Sequence, residues 1–184
     1  VFMQWGIGHL FPAITMAAHV TASPNHQTGR VTPLKFRFDV AMSARLGFEL
    51  QPCDMTKEDA AFSKRALAEY KRIRPVVQFG DLYRLSSPYE SRVAALMYVH
   101  EKRAVVFAWL MDKWLADSPP PLRLKGLNPA ARYLVREINL DENGPLANVH
   151  ERVLGGDFLM DFGIRINWKN AFQSVCMEVT ETGS

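Results

Sequence analysis

Apolar residues recur along this chain with two different periods, and the change between them falls near Arg74-Pro75. Before that point Phe62, Ala66, Tyr70, Ile73 and Val77 follow one another at intervals of 4, 4, 3 and 4, the spacing of one face of an α-helix. Thr56, with Asp59 three residues on, reads as a capping box that opens this helix, and Lys57, Lys64, Lys71 and Arg72 fall largely on the opposite face. Proline lacks an amide and crowds the preceding turn, so Pro75 is expected to end or kink the helix near Arg74. Upstream, ITMAAHVTA (Ile14 to Ala22) is short, apolar and followed by Ser23-Pro24-Asn25, which predicts a buried strand ending in a loop that runs to Arg30. Thr32-Pro33 supplies a cap and a first-turn proline for a helix over Leu34 to Leu46 that Gly47 would stop, and Gly47 to Leu50 reads as another buried strand. Strand, loop, helix, strand, helix is the order of α/β units built on a parallel sheet.

Beyond residue 80 the period is two. Asp81 to Ser87, Arg92 to His100, Arg103 to Met111, Ala131 to Asn139 and Ala171 to Thr180 each read as strands. Glu101-Lys102 is a two-residue polar break between apolar runs, which predicts a hairpin despite the absence of glycine. Turn signals at Gly126-Leu127-Asn128-Pro129 and Gly155-Gly156, and surface loops at Asp112 to Pro121 and Asn139 to His150, complete a pattern that predicts a small antiparallel β-sandwich. The expected organisation is α/β over residues 1–78 and β over residues 79–184.

Composition narrows the function classes. With 184 residues, 48% hydrophobic and 22% charged, the chain can bury a core. Its 22 basic and 19 acidic residues are interspersed, giving a net charge of +3 without a single-sign block, so nucleic acid is not an expected partner. The longest apolar run, Ala104 to Met111, is far short of the roughly 18 residues of a membrane span. Two cysteines, Cys53 and Cys176, are too few for a disulfide framework or a zinc site; two buried thiols are expected, with a single bridge left open. None of the five histidines stands at the helical spacing of a zinc site, and no metal or cofactor is expected. The chain opens on apolar residues with no initiator methionine and no secretory pattern, and reads as the middle of something longer; the compartment stays open, with the cytoplasm favoured.

Four strings, in order, carry a family resemblance. ITMAAHVTASPNHQTGRVTPLKFR (Ile14 to Arg37) resembles the segment of glycoside hydrolase family 36 α-galactosidases that reads close to TMGAHVSAVPNHQ-GR-TPLETR. RPVVQFGDLYRLSSPYE (Arg74 to Glu90), RLKGLNPAARY (Arg123 to Tyr133) and GGDFLMDFGIRI (Gly155 to Ile166) are similar to that family's later landmarks. The resemblance implies the final strands and helices of a (β/α)8 TIM barrel followed by the β-sandwich. Ile14 to Ala22 would be barrel strand seven, Gly47 to Leu50 strand eight, and Thr56 to Arg74 the last barrel helix. It further implies that the parent is a retaining enzyme acting on α-galactoside oligosaccharides, and a homo-oligomer is expected. The family's two catalytic aspartates lie in a Lys-Trp-Asp motif and a Ser-Asp-rich motif; neither occurs in this sequence, so no catalytic residue is assigned and the chain alone is expected to be inactive. Ala17 stands where the family usually has glycine, and Lys35-Phe36 where Glu-Thr is common. The Arg37-Phe38-Asp39 string looks like an earlier barrel motif, but its neighbours place it in the helix after strand seven, so Asp39 is not read as catalytic.

The same mapping puts His19, Asn25, His26 and Gln27 at the barrel rim as substrate-binding candidates, because active sites of such barrels sit at the carboxy ends of the strands. For His19, inside an apolar strand, a hydrogen-bonded core position is the competing expectation, and it is the one favoured. Trp5 is expected to pack. Trp109 and Trp114 are candidates for a secondary carbohydrate or subunit contact, and Asp81, Asp157 and Asp161 read as turn formers. The alternatives to an α-galactosidase are an α-N-acetylgalactosaminidase of the same family and a non-catalytic module that binds carbohydrate or mediates oligomerisation.

Overall fold

In the computed structural model the chain is described over residues 1–113 and 118–183. A short helix α1 (Phe2–Ile7) and a 3-10 turn at Ala13–Thr15 lead into strand β1 (Ala17–Val20). The chain then loops over to helix α2 (Leu34–Met42) and returns as strand β2 (Arg45–Phe48), which pairs with β1 in parallel, Ala17 opposite Arg45 and Val20 opposite Phe48. A parallel pair needs such a crossover, and the helix covers one face of it. Ala18 and Val20 point to α2, and Phe38 at the helix centre packs against Phe48 at 5.9 Å and Phe62 at 5.7 Å.

The helix ends at Met42 rather than at Leu46, and the strand begins at Arg45, ahead of Gly47. Two tyrosines account for the shift. Tyr98 Oη donates to the Ser43 carbonyl at 2.7 Å, and Tyr70 Oη donates to the Ala44 carbonyl at 3.0 Å while accepting from the Leu46 amide at 3.1 Å. Carbonyls left over at a helix end need partners, and here side chains more than twenty residues away supply them.

Helix α3 (Lys57–Phe79) starts where the sequence places it, with Thr56 Oγ1 accepting from the Asp59 amide, but it continues past Pro75 to Phe79 instead of ending near Arg74. Proline inside a helix costs about 3 kcal/mol. Pro75 and Lys71, the residue whose carbonyl loses its partner, are both exposed, while Ile73, Val76 and Val77 are buried. Burial of three such side chains, each roughly 1.5 to 3 kcal/mol, outweighs the proline.

Six strands follow: β3 (Asp81–Ser86), β4 (Val93–His100), β5 (Arg103–Leu110), β6 (Arg132–Ile138), β7 (Arg152–Gly155) and β8 (Gln173–Thr182), with helix α4 (Gly156–Asp161) between the last two. They form one antiparallel sheet in the order β3-β4-β5-β8-β6-β7. The β4–β5 hairpin closes on His100 opposite Arg103, and Glu101 takes the left-handed conformation (φ 54°) that a glycine would otherwise supply.

A two-sheet sandwich was expected beyond residue 80, yet the described residues there make a single six-stranded sheet covered on both faces. On one face Leu96, Tyr98, Phe107, Trp109 and Cys176 share a core with α2 and α3. On the other, Met97, Val106, Val135 and Met177 pack against Leu122, Leu124, Leu146, Leu159 and Ile164. This second cover is α4 with chain segments joined only by isolated bridges, Leu122 to Ile164 and Ala147 to Ile166, too irregular to form a sheet of their own. Double-sided burial explains why β4 and β5 are near-continuous apolar runs. Cys176 is buried and Cys53 is exposed; both are free thiols, so the expectation of two buried thiols holds for one.

Candidate functional site

The loop after β1 opens a cleft of about 310 Å³ at the carboxy end of the parallel strands. Its polar lining includes His19, Thr21, Asn25, Gln27, Arg30 and Arg37; Phe36 and Met111 supply apolar wall. The loop is built by its own hydrogen bonds. Asn25 Oδ1 accepts from the Gln27 and Thr28 amides, each at 3.1 Å, the Asn25 amide donates to the Arg30 carbonyl at 2.9 Å, and Ser23 Oγ at the loop base accepts from the Thr32 amide. Asparagine favours such turns because its side chain substitutes for a backbone acceptor. Arg37 on α2 donates to the Thr21 carbonyl and so ties the strand end to the helix; its burial lowers its pKa, partly offset by the charge of Asp59.

Three of the four candidates, His19, Asn25 and Gln27, line this cleft; His26 is exposed on the same loop but is outside the lining. His19 is not a core residue. Strand alternation turns Ala18 and Val20 inward and His19 out, leaving its side chain 44% exposed with Nδ1 3.1 Å from Glu49 Oε1. Its ring lies across Gly47, opposite it in the parallel pair, where an added Cβ would come within 2.0 Å of the imidazole. Gly47 is therefore a close-approach glycine inside β2 and does not stop a helix.

Beneath the cleft, α2 is fastened to the sheet by a buried polar cluster. Asp39 accepts from Lys35 Nζ at 2.6 Å, Ser174 Oγ at 2.6 Å and Asn139 Nδ2 at 2.6 Å, and Lys35 also donates to the Ser174 carbonyl at 3.0 Å. Burial alone would lower the Lys35 pKa, but the adjacent Asp39 carboxylate outweighs it and raises the value. Asp39 is saturated and fully buried, so it has no route to a substrate. A second junction joins α3 to the sheet: Glu178 on β8 receives Arg72 at 2.6 Å and Arg103 at 2.6 Å, with Arg136 at 3.4 Å. Burial would raise the Glu178 pKa, and the arginine hydrogen bonds reverse this and lower it.

Among the described residues, the lining of the cleft contains hydroxyl, amide, imidazole and guanidinium groups and no aspartate or glutamate. Such a set can hold a polyhydroxylated ligand but lacks the paired carboxyls that glycosidic bond cleavage requires. Among the described residues, no group of three His, Cys, Asp or Glu could hold a metal ion, and no helix is long and apolar enough to cross a membrane.

Sequence reasoning missed Arg37, Phe36 and Met111, whose place in the cleft depends on how α2 and β5 pack. Trp5 is buried, as expected. Trp109 is interior, stacked on Phe107 at 5.9 Å, and offers no surface to a sugar. Trp114 lies outside the described residues. A larger cleft of about 680 Å³, lined by Trp168, Phe162 and Pro119 to Pro121, opens on the far side of the sheet, away from the parallel strand ends.

Comparison with known proteins covers nearly the whole chain. A family model described as Melibiase matches residues 1–80, and one described as Glycosyl hydrolase family 36 C-terminal domain matches residues 93–179. Alpha-galactosidase AgaA of Geobacillus stearothermophilus is 37% identical over 172 residues, covering 92% of this chain and 22% of the relative. Probable alpha-galactosidase G of Aspergillus terreus is 34% identical over 177 residues, covering 95% and 23%. A crystal structure of a variant of the Geobacillus enzyme AgaA in complex with raffinose superposes with a TM-score of 0.86 at 35% identity, over 98% of this chain and 24% of that one. The chain thus spans less than a quarter of the length of these relatives.

Proposed function

Since this chain belongs to glycoside hydrolase family 36, we propose that it forms part of a retaining α-galactosidase that releases terminal α-linked galactose from oligosaccharides such as raffinose. Residues 1–78 supply the last strand and helix units of a (β/α)8 barrel, and residues 79–184 the sheet domain that follows. The parallel β1–α2–β2–α3 unit, with its loop cleft at the strand ends, supports this placement. His19, Asn25, His26 and Gln27 belong to the rim of the substrate site, Asn25 chiefly by shaping the loop.

The observation that carries the reading is a cleft whose described lining is rich in hydroxyl-binding groups and holds no carboxylate. The nucleophile and the acid/base come from parts of the enzyme outside this chain. One carboxylate attacks the anomeric carbon while the other protonates the departing glycosidic oxygen, and water then displaces the enzyme with the second group acting as base. Proton NMR of the complete protein acting on an aryl α-galactoside tests this. Galactose should appear first as the α-anomer, and this chain alone should turn nothing over. First appearance of the β-anomer, or no release by the complete protein, refutes the proposal.

A further inference from the structure

Arg30 stands at the edge of the cleft with its side chain laid against the other half of the molecule. Its guanidinium carbon is 6.0 Å from the ring centroid of Phe172, a residue of the loop that enters β8. Phe172 takes a left-handed backbone conformation (φ 57°), its amide donates to the Leu110 carbonyl at 2.9 Å, and its ring meets Phe36 edge-on at 5.7 Å and 85°. A bulky residue in that conformation is strained and persists where the surroundings hold it. Arg30 and Phe36 both line the cleft, so Phe172 touches two wall residues from behind.

Among the described residues the Arg30 guanidinium faces no carboxylate and makes no side-chain hydrogen bond. Its five N–H donors meet no acceptor among those residues, and the aromatic face restricts how they can point. Its backbone closes the loop, since the carbonyl accepts from the Asn25 amide and the Arg30 amide meets Thr28 Oγ1. We propose that Arg30 binds ligand hydroxyls in this cleft and that Phe172 is a positioning residue through which the sheet domain sets the aim of the guanidinium. The identity of the ligand as an oligosaccharide rests on the function proposed above; the positioning does not.

The test uses the complete protein with Phe172→Leu, which keeps an apolar cover on Phe36 but removes the aromatic face, and Phe172→Tyr, which keeps the face. Phe172→Leu should raise KM for raffinose by about 3- to 5-fold, the worth of an exposed cation–π contact, with kcat within about twofold, and Phe172→Tyr should restore it. Arg30→Ala should raise KM at least as much, and adding Phe172→Leu to it should change little further. An unchanged KM in Phe172→Leu, or effects that multiply in the double variant, overturn the proposal. Amide hydrogen exchange at Gln27, Thr28 and Gly29 gives a reading independent of catalysis: it should quicken in Phe172→Leu and not in Phe172→Tyr, with the β5 amides unchanged. If the wild type does not act on raffinose, the functional reading fails while exchange still decides the positioning; equal exchange in all three proteins defeats it.

Discussion

Glu137 and Glu178 stand on neighbouring strands and hold protons with opposite tendencies. Glu178 is surrounded by arginines that outweigh its burial, so its pKa is lowered; its contribution to stability is complete above the ordinary carboxylate range and fades as pH falls through the depressed value. Glu137 is buried on β6, and that burial outweighs the Leu146 and Ala147 amides, which donate to Oε2 at 2.8 and 2.9 Å, and the charge of Lys35, so its pKa is raised. Its Oε1 is buried without a hydrogen-bond partner among the described residues. The folded state then binds the proton more tightly than the unfolded chain, and this contribution is lost as pH rises through the raised value. Glu137→Gln keeps the acceptor and removes the titration, so its melting temperature should gain on the wild type as pH rises from about 4 to about 7. A gap between the two melting curves that is constant across that range would contradict the assignment. Neither carboxylate announces itself in the sequence, where both are ordinary strand glutamates; only their surroundings separate them.

At the scale of the element, what could be read locally held and what depended on a distant partner did not. Thr56 caps α3 through a hydrogen bond to a residue three positions away, which a short window of sequence contains. Thr56→Ala should cost about 1 kcal/mol, read as a lower urea midpoint with an unchanged slope. The same helix does not end at Pro75, where a local stop signal is overruled by non-local burial of Val76 and Val77. The β4–β5 hairpin was legible from the length of its polar break alone, and its strands register as expected from His100 opposite Arg103 onward. β7 and α4 were missed: Gly155-Gly156 reads as a turn, whereas Gly155 ends β7 and Gly156 begins α4.

For the whole molecule, the decisive feature is that the βαβ unit and the sheet share one core and one buried polar cluster. Asp39 joins α2 to Asn139 after β6 and to Ser174 on β8, so the two halves that differ in period are mechanically one. Asp39→Ala leaves Lys35 buried without its counter-charge and should cost about 3 to 5 kcal/mol in the complete protein, measured by denaturant unfolding; Asp39→Leu with Lys35→Met should recover much of it. Equal losses in the single and double variants would mean that packing, not charge, is what Asp39 supplies. By itself the sequence determined the change from helical to alternating period, the strands other than β7 and their hairpin, the cap of α3 and the family strings, because each is written in residues close together along the chain. Tertiary structure alone decided that His19 faces outward over Gly47, that Trp109 is interior, that a single sheet is covered twice, and that Phe172 reaches the cleft. Each of these depends on which residues meet across long chain separations, and a sequence pattern specifies a face without specifying what lies against it.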